Sequence, residues 1–259
     1  MLTENKFDRL KRLYEGEKNR EIIWQKNFSD GIYDEKWANN LPSYLDNFTM
    51  YYYFVENDII KAKQYFYKKG RVKVFLTEKF DNNWLDIDMF TFSHIMLSDN
   101  KALIDHFSTL IYKNNLGRSY MEAVDKGYST HMYIIQCLIS ENWAEYERVM
   151  PIFKDKFLKR NKAMIIDCSF YEAIARKDKQ GAEDAINELL LPKIHKYRNK
   201  HQIYNDFVSY PAIGYAKLAW YKGLEVDINS PYVPKDLLPI APLRTEEYLD
   251  YDFIKHYLG

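Results

Sequence analysis

Apolar side chains recur three and four residues apart along most of this chain, and short polar breaks interrupt them at near-regular distances. Leu103, Phe107, Leu110 and Ile111 follow this spacing, as do Trp143, Tyr146, Met150, Phe153 and Phe157. Ile166, Phe170, Ala173 and Ile174 repeat it, and Ala182, Ile186, Leu189 and Leu190 nearly do. Such spacing places each set on one face of a helix. Val72, Val74 and Leu76 alternate as a strand would, but Val72, Leu76 and Phe80 suit a helix equally well. The breaks are Glu56-Asn57-Asp58, Ser98-Asp99-Asn100, Ser140-Glu141-Asn142 and Lys177-Asp178-Lys179, beginning 42, 42 and 37 residues apart. Asp, Asn and Ser suit these points because their side chains accept from the free N–H groups that open a helix. The distances lie in the range of helix-hairpin arrays. The expected fold class is therefore all-α, with stacked antiparallel helix hairpins in a repeat-like, α-solenoid-like array. Only 9 glycines in 259 residues agree with this, since β-rich folds need glycine at their tight turns.

A single all-helical domain over 1–259 is expected, with an N-terminal helix and linker at 1–41, the hairpin array at 42–204 and a distinct C-terminal region at 205–259. The first helix spans Leu2 to Asn27 and turns Leu10, Leu13 and Tyr14 inward. Pro42 fits the first turn of the next helix, and the run Tyr51-Tyr52-Tyr53-Phe54 fits a helix packed on two sides. From Tyr210 to Lys222 a helix rich in small residues (Ala212, Gly214, Ala216, Ala219) allows close approach of a neighbour, and Gly223 caps it. Four of the 8 prolines fall between Pro231 and Pro242, which makes that segment extended. A final helix is predicted from about Thr245 to Leu258.

Lys plus Arg and Asp plus Glu are 37 each, so no global field draws the chain to nucleic acid or to a membrane. Locally the charge is uneven. Asp81, Asp86, Asp88 and Asp99 precede Lys101 with no Lys or Arg between, the tail from Glu225 is acidic, and positive charge gathers between Lys154 and Lys200. Two cysteines make no disulfide framework and have no metal spacing. The charged stretch Met1 to Tyr14 has no apolar core of a signal peptide, and no run reaches the ~20 apolar residues of a membrane span. A cytoplasmic protein is expected.

Residues arranged for chemistry are scarce. HExxH, GxGxxG, a Walker loop, GxSxG and paired CxxC are absent. His94, His106 and His131 fall on different predicted helices and read as surface or boundary side chains. Asp86 and Asp88 form a DxD pair without a supporting third carboxylate, and Cys168 reads as a small core residue. Arg198-Asn199-Lys200-His201 is a near miss to the Arg–Asn…His motif of helical HEPN ribonucleases, whose Arg and His lie further apart; a solvated basic helix end is the simpler reading. No catalysis, no cofactor and no metal are expected.

The stretch Asp206-Phe207-Val208-Ser209-Tyr210-Pro211-Ala212-Ile213-Gly214-Tyr215-Ala216-Lys217-Leu218-Ala219 is followed by Gly223-Leu224-Glu225-Val226, by Ser230-Pro231-Tyr232-Val233-Pro234 and by Leu237-Leu238. Together these resemble the C-terminal signature of the immunity protein 49 family of bacterial polymorphic toxin systems, over roughly the last quarter of the chain. The motifs look like packing elements. The resemblance implies a protein that binds and neutralises a cognate toxin domain by protein–protein contact. For a basic toxin such as a nuclease, acidic patches would steer association, and the candidate contact residues are Asp81, Trp84, Asp86, Asp88, Asp250 and Asp252. A helical-repeat adaptor binding a peptide or protein, and a helical ribonuclease, remain as alternatives.

Overall fold

A computed structural model describes residues 5–32, 35–80, 88–111, 119–199 and 204–255, with backbone only at 35–43 and 80. Its helices are α1 (Lys6–Ser29), α2 (Glu35–Phe54), α3 (Ile59–Phe80), α4 (Met89–Leu97), α5 (Lys101–Thr109), α6 (Tyr120–Asp125) and α7 (Thr130–Ser140). They continue as α8 (Trp143–Ile152), a π turn at Phe153–Phe157, α9 (Leu158–Arg160), α10 (Ile165–Ala175), α11 (Lys179–Leu189), α12 (Pro192–Arg198) and α13 (Tyr210–Tyr221). No strand occurs among the described residues. The fold is all-α, as the periodicity requires.

The four polar breaks share one local geometry. Each holds a single residue in the left-handed region, Asn57 at φ 54°, Asp99 at 55°, Glu141 at 56° and Lys177 at 55°. The next residue then caps the following helix: Asp58 accepts from the Lys61 N–H at 2.9 Å, Asn100 from Leu103 at 2.8 Å, Asn142 from Glu145 at 3.3 Å and Asp178 from Gly181 at 2.9 Å. A left-handed residue ends one helix and a short acceptor side chain opens the next, so the chain reverses within two or three residues.

Helices near in sequence pack on each other: α1 on α2, α2 on α3, α3 on α4, α5 on α7, α7 on α8 and α10 on α11. Helix α13 departs from this order, packing on α4 and on α11. Its small residues allow that approach. A Cβ on Gly214 would stand 2.3 Å from Ser93 Oγ, and that hydroxyl donates to the Tyr210 carbonyl at 2.7 Å. The tyrosine run on α2 is shared among neighbours as expected: Tyr14 stacks on Tyr51 with ring centres 3.9 Å apart, Tyr52 stacks on Tyr65, and Tyr53 donates to Asp236.

Four local expectations are corrected. Helix α2 begins at Glu35, so Pro42 lies inside it and not in its first turn; residues 35–41 hold no helix breaker, and proline forfeits only one backbone bond there. The 143–157 stripe is not one α-helix, because Pro151 lacks the N–H that would bond one turn back and a π turn follows. Ile111 falls beyond the end of α5 and is exposed. From Thr245 onward the described chain forms only the 3₁₀ turns Thr245–Glu247 and Asp252–Ile254. There the side chains reach apart, Tyr248 to the Ser98 carbonyl at 2.9 Å, Asp250 to Arg71 at 2.8 Å and Tyr251 to Glu21 at 2.6 Å. A helix would draw these groups together and break the contacts.

Buried charges fasten this segment. Asp99 faces Lys63 at 2.6 Å and Lys217 at 2.7 Å, and the two lysine side chains are only 5% and 0% exposed. Lys217 also donates to the carbonyls of Leu237, Leu238 and Pro239, and Lys63 to that of Ala241. Lys217 thus satisfies three backbone acceptors and Lys63 one, in a stretch with little regular structure whose carbonyls would otherwise lack a partner.

Candidate functional site

Of the candidate contact residues, Asp81, Trp84 and Asp86 lie outside the described residues. Asp88 is exposed and caps α4, accepting from the Thr91 N–H at 2.8 Å. Asp250 turns inward, its carboxylate gripped by the Arg71 guanidinium through Nε and Nη2 at 3.0 and 2.8 Å. Asp252 is exposed and paired with Lys255 at 2.5 Å. Much of the acidic tail is neutralised locally in the same manner, with Asp227 on Lys235 and Glu247 on Arg244.

Polar residues buried between helices were less visible in the sequence. Asp167 of α10 is fully buried and receives both terminal nitrogens of Arg198 from α12, at 2.7 and 2.8 Å. This corrects the reading of Arg198 as part of a solvated helix end: its side chain is 7% exposed and holds α12 to α10. Asn199 is buried too and accepts from the Tyr210 N–H at 3.0 Å, while Lys200 and His201 lie outside the described residues. His94 is likewise no boundary histidine. It is fully buried, with Nδ1 on the Phe90 carbonyl at 2.6 Å and Nε2 at 3.0 Å from Asp46. Each of these groups has an ionic or backbone partner that explains its burial.

A chain of hydroxyls leads away from Asp167. Tyr215 of α13 donates to its carboxylate, Tyr171 lies 2.8 Å from the Tyr215 hydroxyl, and His131 Nδ1 lies 2.7 Å from Tyr171. Because Tyr215 gives its proton to the carboxylate, Tyr171 must donate to Tyr215 and His131 Nδ1–H to Tyr171. That fixes the tautomer and leaves the lone pair on Nε2, which has no hydrogen-bond partner among the described residues. Burial pushes the His131 pKa down to about 4, so the ring is neutral near pH 7. Asp88, His131 and Arg198 border one cavity of about 300 Å³. The thiol of Cys137 is pushed up to about 12 by burial, and that of Cys168 is raised for the same reason, so neither is a ready nucleophile. Among the described residues, no three His, Cys, Asp or Glu side chains gather as a metal site would need, and no helix is long and apolar enough to cross a membrane.

A groove of about 790 Å³ lies between the start of α10 and α12. Ala163, Ile165, Ile166, Ile194 and Tyr197 form its apolar lining, and Lys193, Lys196 and Glu188 its polar one. Ile165 and Tyr197 are each 56% exposed, and Leu191 at the head of α12 is 53% exposed. A second concavity adjoins it across Ala163 and Tyr197 and is lined by Lys159, Arg160 and Lys162. The sequence showed the basic residues as a run from Lys154 to Lys200. It did not show that they rim an apolar depression, since the inward-facing residues of α12 become apparent only once Arg198 is anchored on Asp167.

No curated protein and no solved structure matches the chain. Residues 134–237, which run from α7 through the groove and α13 to Leu237, match the family model of Immunity protein 49, and it is to this family that the chain is similar.

Proposed function

We propose that this protein is an immunity protein that neutralises a cognate bacterial toxin by binding it in the cytoplasm. The match to the immunity protein 49 family over residues 134–237 carries this reading. The chemistry of the buried polar groups agrees with it. Arg198, Asp167, Lys217 and Asp99 link helices to one another, which suits a rigid body that presents a surface. Neutralisation must keep free toxin scarce, which calls for sub-nanomolar affinity, on the order of 12 kcal/mol. An interface of ~1,600 Å² with a few aromatic or charged anchors suffices for that. Binding either covers the toxin's active site or holds it in an inactive shape. Of the acidic candidates, Asp88 and Asp252 keep exposed carboxylates that could meet a basic partner at its edge.

Co-expression with the toxin domain encoded beside this chain's gene tests the function. Cells carrying both should grow, and the two proteins should co-purify. Continued killing by every neighbouring toxin would remove the immunity reading.

A further inference from the structure

We propose that the groove between α10 and α12 receives the partner, and that the segment it takes is acidic and carries apolar side chains. This rests on the immunity reading and specifies where and by what chemistry the toxin is held. Large apolar side chains left in water on a folded chain are ordinary when scattered, but the exposed Ile165 and Tyr197 border a single depression beside the half-buried Ile194. Its volume of about 790 Å³ fits a few inserted side chains. The charge around it is one-sided. Lys193 and Lys196 stand on the lining with Glu188 as the one carboxylate among the described lining residues, and Lys162 lies beside them. An apolar floor under a lysine rim complements a segment in which Asp or Glu flanks Leu, Ile, Phe or Tyr, and the rim would steer its approach.

The acidic positions offer less. Asp250 is held by Arg71, Asp88 caps α4, and Asp252 is paired with Lys255. Nucleic acid is the other ligand that lysines and an aromatic ring attract. Here, however, three isoleucines and an alanine form most of the floor, and Tyr197 is its one aromatic ring among the described residues, so a stacked strand has little to rest on.

The test uses the full-length chain and the purified toxin domain encoded next to it, with dissociation constants measured at low and moderate salt. Three variants are compared: Lys193→Glu with Lys196→Glu, Ile165→Asp, and Asp88→Lys with Asp252→Lys. Circular dichroism and urea unfolding first establish that each variant folds, and Ile165, exposed as it is, should tolerate the change. Charge reversal of the two lysines should weaken binding at least 30-fold and flatten its salt dependence. Ile165→Asp should weaken it at least 10-fold, and both should reduce protection in cells.

Binding within threefold of the parent in both groove variants overturns the proposal while leaving the immunity function intact. So does a loss confined to the aspartate variant, which would put a basic partner on the acidic edge. A labelled 20-nucleotide RNA or DNA bound as tightly as the toxin, and released by the lysine reversals, would overturn it in favour of nucleic acid. If the parent chain neither binds nor protects against the toxin, the function falls and this inference with it.

Discussion

Replacing Gly214 by Ala tests how closely α13 and α4 approach. The added methyl would stand 2.3 Å from Ser93 Oγ and 3.1 Å from both Phe92 Cε1 and Ser93 Cβ. Ser93 is fully buried, and its one hydroxyl proton is shared between the carbonyls of Met89 and Tyr210, each 2.7 Å from Oγ, so it has no idle position to move into. Crowding a packed core costs about 1–3 kcal/mol, and losing the bond to Tyr210 costs about 1 more. Alanine recovers about 1 kcal/mol through its better helix propensity. A net loss of about 2 kcal/mol remains, readable as a lower urea midpoint at unchanged slope. The double variant Ser93→Ala with Gly214→Ala removes the nearest clash, and a double-mutant cycle should show favourable coupling of about 1 kcal/mol. If Gly214→Ala is as stable as the parent, or if the two costs simply add, the close approach does not exist as described.

Asp99→Ala should destabilise the chain by about 3–5 kcal/mol in urea unfolding, because it strands the buried ammonium groups of Lys63 and Lys217. His131, with its pKa pushed down to about 4, should show imidazole NMR shifts that stay constant from pH 7 to pH 5. The unfolded chain takes up that proton near pH 6.5, so stability should fall as pH drops from there toward about 4, by up to about 1.4 kcal/mol per unit. A histidine that titrates near 6.5 in the folded protein would contradict the assignment. Lys177→Gly, at a left-handed φ of 55°, should raise stability by about 0.5–1 kcal/mol, and any loss there would mean the turn geometry is different.

The helices and their junctions were legible because both signals are local. Asn57, Asp99, Glu141 and Lys177 each fall in a break read from polarity alone, and the capping residue follows each of them. The small residues of α13 correctly announced close packing, but not that α4 would be the neighbour, since nothing local encodes a partner over a hundred residues away. Two buried charges did leave a trace. Asp167 sits directly between the apolar Ile166 and Cys168, and Lys217 stands in a helix of otherwise small or apolar residues. A charge on an apolar face signals an internal partner, though not which one. The expected C-terminal helix failed for the complementary reason. Leu249, Phe253 and Tyr257 have helical spacing, yet Arg71 and Glu21 from distant helices hold Asp250 and Tyr251, and the tertiary bonds outweigh the local preference.

The fastening of residues 250–254 onto the first and third helices bears on how the protein is made. The bond between Tyr251 and Glu21 spans 230 positions, and Trp24 and Phe28 find Phe253 against them. While the chain is still emerging from the ribosome, those aromatic rings have no such cover, and closing so long a loop is slow. Newly made molecules should therefore pass through a sticky stage that holdase chaperones recognise, and a frameshift near codon 245 should yield an aggregating product and not a shortened working one.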